Sequence, residues 1–238
     1  MTSEPEASFP APGLVVYQPA RAYRFGVEVY LLAAFALRGG TPRTAVDLGA
    51  GSGVLGLFLA RWGARVTLVE REARWAPLLR RSIAESGLAA QVELVEADLR
   101  HLEPLPTAEL VICNPPWFPA DQPRSEDPWR AHARSMLHGD VVDFARVGLN
   151  IASRLCMVTR PEREAALRQF CRESGARWTR RCAWGERLLL LELQRGDSFG
   201  ETEEERQTHV KREAVAAPVD ETLSVEEAYG AAGMSPPR

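Results

Sequence analysis

A chain of 238 residues, 45% apolar and 26% charged, has room for one α/β domain with a full core, and its size argues against a second complete domain. No apolar run approaches the roughly 20 residues of a membrane-spanning helix, so no membrane partner is expected. The net charge of −3 is unevenly placed: residues 197–238 hold ten acids and four bases, leaving a mildly basic body that permits nucleic-acid binding without demanding it.

Residues 1–13 are acidic and proline-rich, without the basic start or apolar stretch of a secretory signal. They read as a disordered arm, and a cytoplasmic location is expected. Residues 14–196 read as the folded domain. Its elements run strand Thr44 to Leu48, helix Val54 to Arg61, strand Arg65 to Glu70, helix Ala73 to Ser86, then strands Val92 to Glu96 and Leu110 to Cys113. Helix Val141 to Ile151, strand Leu155 to Thr159, helix Glu162 to Ser174 and closing strands Arg177 to Ala183 and Leu188 to Leu193 follow.

Alternation at this spacing predicts an α/β fold, a doubly wound, Rossmann-like and mostly parallel sheet of seven strands. The four residues Trp184-Gly185-Glu186-Arg187 are too few for a crossover helix, so the last two strands form an antiparallel hairpin. Residues 197–238, rich in Glu, Thr, Ala and Pro, read as an acidic disordered tail with one short helix near Val225 to Ala232. The cysteines at 113, 156, 171 and 182 are widely spaced and have no histidine at metal-ligand spacing, so reduced thiols and no metal are expected.

Two motifs carry chemistry. The first is Asp47-Leu48-Gly49-Ala50-Gly51-Ser52-Gly53, where a buried strand runs into three glycines and then a helix. Glycines allow a tight turn and close backbone approach, and the helix start offers free amides, as at any nucleotide-binding β-α turn. The dinucleotide fingerprint is GxGxxG; this loop is DxGxGxG, which resembles the first motif of S-adenosylmethionine enzymes. That resemblance places Asp47 toward the cofactor's methionyl amine, Glu70 at the ribose hydroxyls, Asp98 at the adenine amino group and Leu99 against the ring. One acid at a strand end is more often a helix cap; three in order at this spacing form a pattern.

The second motif is Asn114-Pro115-Pro116-Trp117-Phe118, at the end of the fourth strand. Consecutive prolines fix the backbone and supply carbonyls without competing donors. An exocyclic amine conjugated to a ring has its lone pair tied up. Acceptance of its two N–H groups by the Asn114 side chain and the Pro115 carbonyl raises electron density at nitrogen. Trp117 would stack on the planar group, with Phe118 as a second wall.

This tetrad resembles the NPPY or NPPF signature of class I S-adenosylmethionine-dependent amino-methyltransferases, whose targets divide among adenine N6, guanine N2 and glutamine amide. Only some 43 residues precede the sheet, which disfavours the protein target, because release-factor methyltransferases carry a helical domain there. Tyr23-Arg24-Phe25 with Glu28, then Leu31-Leu32, and Ala133-Arg134 with Leu137-His138 resemble the bacterial family that methylates adenine N6 in the anticodon loop of valine tRNA. The departures are Glu28 where that family has Asp, Trp117 for Tyr, and no Pro-Gly-Gly turn before Leu155.

The resemblance implies methyl transfer from S-adenosylmethionine to an adenine N6 amine in RNA, with tRNA the expected substrate and a monomer the expected state. Tyr23, Arg24 and Phe25 are expected to cover the site, and Arg134, with Arg124 and Arg130, to meet phosphates. A guanine-N2 target in ribosomal RNA, a protein glutamine amide and a small-molecule amine remain as alternatives.

Overall fold

The structure is a computed structural model that describes residues 4–20, 24–103, 106–116, 140–197 and 218–234. Strands β1 (Pro5–Ser8) and β2 (Val16–Pro19) form an antiparallel pair ahead of α1 (Val27–Arg38). The sequence then runs β3 (Thr44–Leu48), α2 (Val54–Arg61), β4 (Arg65–Glu70), α3 (Ala76–Glu85), β5 (Val92–Glu96) and β6 (Ala108–Cys113). It continues through α4 (Val141–Ile151), β7 (Ala152–Thr159), α5 (Glu164–Ser174), β8 (Arg177–Trp184), β9 (Leu188–Gln194), β10 (Val219–Asp220) and α6 (Val225–Ala231).

Eight of these strands form one sheet in the order β10-β8-β9-β7-β6-β3-β4-β5, in which β9 alone runs antiparallel to its neighbours. The chain leaves β3 for β4 and β5, then returns to β6 on the other side of β3. Strand order therefore reverses between β3 and β6, and ligands of such sheets bind beyond the carboxyl ends of the strands at that point. Alternating side chains feed two cores: Cys156 and Val158 of β7 pack with α1, α2 and α6, whereas Leu155 and Met157 pack with α4 and α5. This is the class I methyltransferase fold expected from the sequence, hairpin included.

The differences have local causes. The helix expected from Ala73 begins at Ala76, because Pro77 has no N–H to return to the Ala73 carbonyl, and Ala73–Trp75 closes as a 3-10 turn instead. Pro161–Arg163 makes the same entry into α5. The sheet has eight strands rather than seven, because β10 pairs in parallel with β8.

Two segments expected to be disordered hold structure. Within residues 1–13, Pro5–Ser8 pairs with β2. Within the tail, the short helix expected near Val225 to Ala232 is present as α6, and with the unexpected β10 it docks on the domain and buries Leu223, Ala228 and Ala232. Composition misleads there because the acids are partnered: Glu221 with Arg180 and Glu227 with Arg38. Residues 198–217 lie outside the described residues.

Glu192 of β9, only 2% exposed, sits between Arg154 and Arg180 at 2.8 and 2.9 Å. Those guanidinium groups also donate to the Phe35, Ala36 and Gly40 carbonyls, so they satisfy the open end of α1 from beneath. Among the described residues no helix is long and apolar enough to cross a membrane.

Candidate cofactor and target-amine site

The carboxyl ends of β3, β4, β5 and β6 surround one pocket, which Phe25, Val29 and Phe144 of α4 also line. The loop after β3 is pinned by backbone bonds: Gly49 and Ala50 donate to the Val69 carbonyl at 2.9 and 3.0 Å, and Gly53 donates to Ala50 at 2.8 Å. Gly49 and Gly53 both have φ of 76°, the left-handed region that L side chains avoid. A Cβ at Gly49 would come within 2.9 Å of Phe144, and one at Gly53 within 2.6 Å of Leu79.

Two carboxylates tie this loop down. Asp47, 1% exposed, accepts from the Gly56 amide at 2.9 Å, one of the donors that the first turn of α2 leaves open. Glu70 accepts from the Gly51 amide at 2.8 Å and from the Glu72 amide at 2.7 Å. Both also line the pocket. Burial pushes Asp47 up to about 7, against the Gly56 hydrogen bond and with help from the charge of Glu70. Burial likewise raises Glu70, outweighing the bonds it receives from the Glu72 and Gly51 amides.

Asp98 lies under the opposite influence. The side-chain bond from Arg100, at 2.6 Å, is the main cause that holds its carboxyl well below the usual range, and Arg71 adds to it at 3.7 Å. Asp98 is therefore ionised and acceptor-only, suited to an exocyclic amino donor. Leu99 and Trp75 supply apolar wall nearby.

This donor set fits S-adenosylmethionine. Two acidic side chains at the glycine loop suit a ligand bearing positive sulfur and ammonium, whose charge favours their ionised form against the burial that raises them. Asn114 and Pro116 open onto the same pocket from the end of β6, while Pro115 is buried beside them.

Other expected residues fall differently. Phe25 lines the pocket, but Arg24 does not: its guanidinium is held by Glu6 at 2.7 Å and Ser8 at 3.0 Å on the hairpin of β1 and β2. In the structure Arg24 thus ties the residues ahead of α1 to β1. Tyr23, Trp117, Phe118, Arg124, Arg130 and Arg134 lie outside the described residues.

Sequence reasoning missed Gln18, Val29, Trp75 and Phe144. Gln18 is 1% exposed; it accepts from the Phe25 amide at 3.3 Å and donates to Ser8 at 3.1 Å. The signal was a lone glutamine closing the apolar run Leu14 to Tyr17. Among the described residues no group of three or more His, Cys, Asp or Glu gathers as a metal site.

The raised Asp47 makes stability depend on pH. The folded chain holds a proton up to about 7, whereas the unfolded chain releases it near 3.8, so this contribution is complete below 3.8 and is lost as pH rises through 7. In Asp47→Asn that slope disappears. Urea midpoints measured from pH 4.5 to 8 are expected to show the unsubstituted chain losing on the order of 2 kcal/mol more than the variant. Parallel profiles would remove the buried-acid assignment.

Residues 28–138 match the methyltransferase small domain. The methyltransferase fold extends beyond that match to the closing hairpin. Among similar proteins, the tRNA1(Val) (adenine(37)-N6)-methyltransferase of Shewanella amazonensis is 37% identical over 110 residues, 45% of this chain and 46% of that protein. The Ribosomal RNA small subunit methyltransferase J of Alkalilimnicola ehrlichii is 46% identical over 104 residues, 40% of this chain and 39% of that one. The chain thus spans less than half the length of these curated relatives. Among solved structures, the catalytic domain of hMettl16 in complex with MAT2A 3′UTR hairpin 1 superposes with a TM-score of 0.62 at 16% identity, covering 89% of this chain and 79% of that one. At that identity the likeness concerns the fold.

Proposed function

We propose that the protein is an S-adenosylmethionine-dependent N-methyltransferase acting on the N6 amine of an adenine in RNA, with tRNA as the substrate. The observation that carries this reading is that Asn114 and Pro116 share one pocket with the glycine loop, Glu70 and Asp98. Bound there, the cofactor supplies a methyl group on positive sulfur. Asp47 and Glu70 offset its positive charge, with Glu70 at the ribose, Asp98 accepts from its adenine amino group, and Leu99 and Trp75 hold the ring.

Asn114 and the Pro115 carbonyl accept the two N–H groups of the target amine, which raises the electron density at nitrogen. Trp117 and Phe118 follow directly in sequence and hold the base that carries it; Phe25 closes the opposite side, and Arg134 meets phosphate. No general base is needed, because the amine's proton becomes acidic once nitrogen is alkylated and leaves to solvent. This reading makes the protein a cytoplasmic monomer.

The relatives named for tRNA adenine-N6 methylation support the substrate. A ribosomal RNA target is the second reading, favoured by the 46% identity to the small-subunit methyltransferase. Nucleoside mass spectrometry of RNA from cells lacking the gene separates them. Loss of N6-methyladenosine from the tRNA fraction is expected; loss of a methylated nucleoside from ribosomal RNA, N2-methylguanosine included, selects the second reading, and an unchanged RNA profile contradicts both.

A further inference from the structure

Phe25, just ahead of α1, and Val29 within it line the pocket, and part of what holds α1 comes from residues 218–234. Tyr229 of α6 stacks on Tyr30 of α1 with ring centroids 4.2 Å apart and planes 17° from parallel. Tyr30 in turn meets Phe25 edge-on at 6.5 Å, and Phe25 lines the pocket. A line of three rings thus runs from the C-terminal segment to the site. The far end of α1 is gripped by the same segment: Arg38 donates to the Thr222 carbonyl at 2.7 Å and to Glu227 at 2.6 Å. Arg180 bridges Glu221 and the Phe35 carbonyl of α1 at 2.9 Å each.

Arg180 reaches α1 from β8 of the sheet, whereas Tyr229, Thr222 and Glu227 reach it from the C-terminal segment. The segment meets α1 at both ends, and Tyr229 together with Phe58 of α2 covers Tyr30, which is 6% exposed. Val29, next to Tyr30, also lines the pocket, so any rotation of α1 moves two lining residues together. The segment's own order depends on the same few contacts, since β10 is only two residues long and α6 seven.

We infer that residues 218–234 form a strap that sets the position of α1, and that Tyr229, through Tyr30 and Phe25, is a positioning residue for the cofactor pocket. It touches neither cofactor nor substrate. The inference rests on the pocket being the cofactor site as far as affinity is concerned, whereas its structural half can be read without any ligand.

The test uses the full chain with Tyr229→Ala and Tyr229→Phe, and with Arg38→Gln, which releases the other end of the strap. Hydrogen exchange is followed by mass spectrometry, and S-adenosylmethionine binding by calorimetry. In Tyr229→Ala, amides 25–30 are expected to exchange about tenfold faster while those of β3 and β4 hold their rates, and the Kd for S-adenosylmethionine to rise about fivefold, the scale of one lost ring pair. Tyr229→Phe keeps the ring and restores both values.

Arg38→Gln shifts the same amides in the same direction, and carries the test alone if Tyr229→Ala does not fold. Unchanged exchange at 25–30, or equal acceleration across the whole domain, overturns the positioning role, as does faster local exchange with unaltered affinity. If the unsubstituted chain binds no S-adenosylmethionine, the proposed function fails; the strap then stands or falls on the exchange rates.

Discussion

Replacement of Asn114 by alanine is expected to reduce kcat for RNA methylation about 10²–10³-fold while leaving the Kd for S-adenosylmethionine within about twofold. The size follows from the task. In the proposed function Asn114 offers the side-chain acceptor that withdraws the target amine from conjugation, and the Pro115 carbonyl alone cannot hold both N–H groups. The fold should tolerate the change, because Cys113 before it is buried in β6 between β3 and β7, and the two prolines after it fix their own backbone. Steady-state kinetics beside calorimetry separate the two effects. Unaltered turnover would remove Asn114 from the chemistry, and lost cofactor binding would make it a cofactor ligand instead.

The second large effect is structural. Gly53→Val places a β-branched side chain at a φ of 76°, with its Cβ 2.6 Å from Leu79 and 3.2 Å from Leu68. Left-handed strain and overpacking act together, and a stability loss of about 3–5 kcal/mol is expected, with cofactor binding abolished. Gly51→Ala is the contrast: its φ is 53°, but nothing lies within 4 Å of the added Cβ. Only the backbone term of about 1–2 kcal/mol should appear there. Chemical denaturation of both variants checks the gradation. Equal losses would mean that Leu79 yields freely and that packing around the loop is looser than the structure describes.

The part of the molecule from β3 to β6 was legible because each element there carries its own signal. Thr44 to Leu48 is a short buried run, the glycines must be glycines for the backbone they adopt, and Asp47, Glu70 and Asp98 stand at or just past the ends of strands whose spacing fixes their order around the sheet. The Asn114 motif was legible because two prolines leave the chain few conformations. The hairpin at 184–187 was legible from length alone.

What stayed hidden depends on partners distant in sequence. Arg38 and Glu227 are 189 positions apart and Arg180 and Glu221 are 41 apart, so the acids of the tail look solvated until the fold brings the arginines to them. The same holds for Arg24, whose partner Glu6 lies on the hairpin ahead of it. Trp75 and Phe144 lie in segments for which the sequence predicts only a helix; that they reach the pocket is set by where Pro77 starts α3 and where the Asp140 and Asp143 capping box starts α4. Gln18 was hidden by its neighbours, a buried amide whose purpose appears only when Phe25 and Ser8 stand beside it.

The central claim, that this pocket joins S-adenosylmethionine to a base amine in RNA, is tested most directly by incubating the purified full chain with methyl-labelled S-adenosylmethionine and total small RNA, then digesting the RNA to nucleosides for mass spectrometry. The account predicts label in N6-methyladenosine from the tRNA fraction, and none when Asn114→Ala replaces the unsubstituted chain. Labelled RNA nucleosides equally abundant with both proteins, or no labelled nucleoside with either, would contradict it.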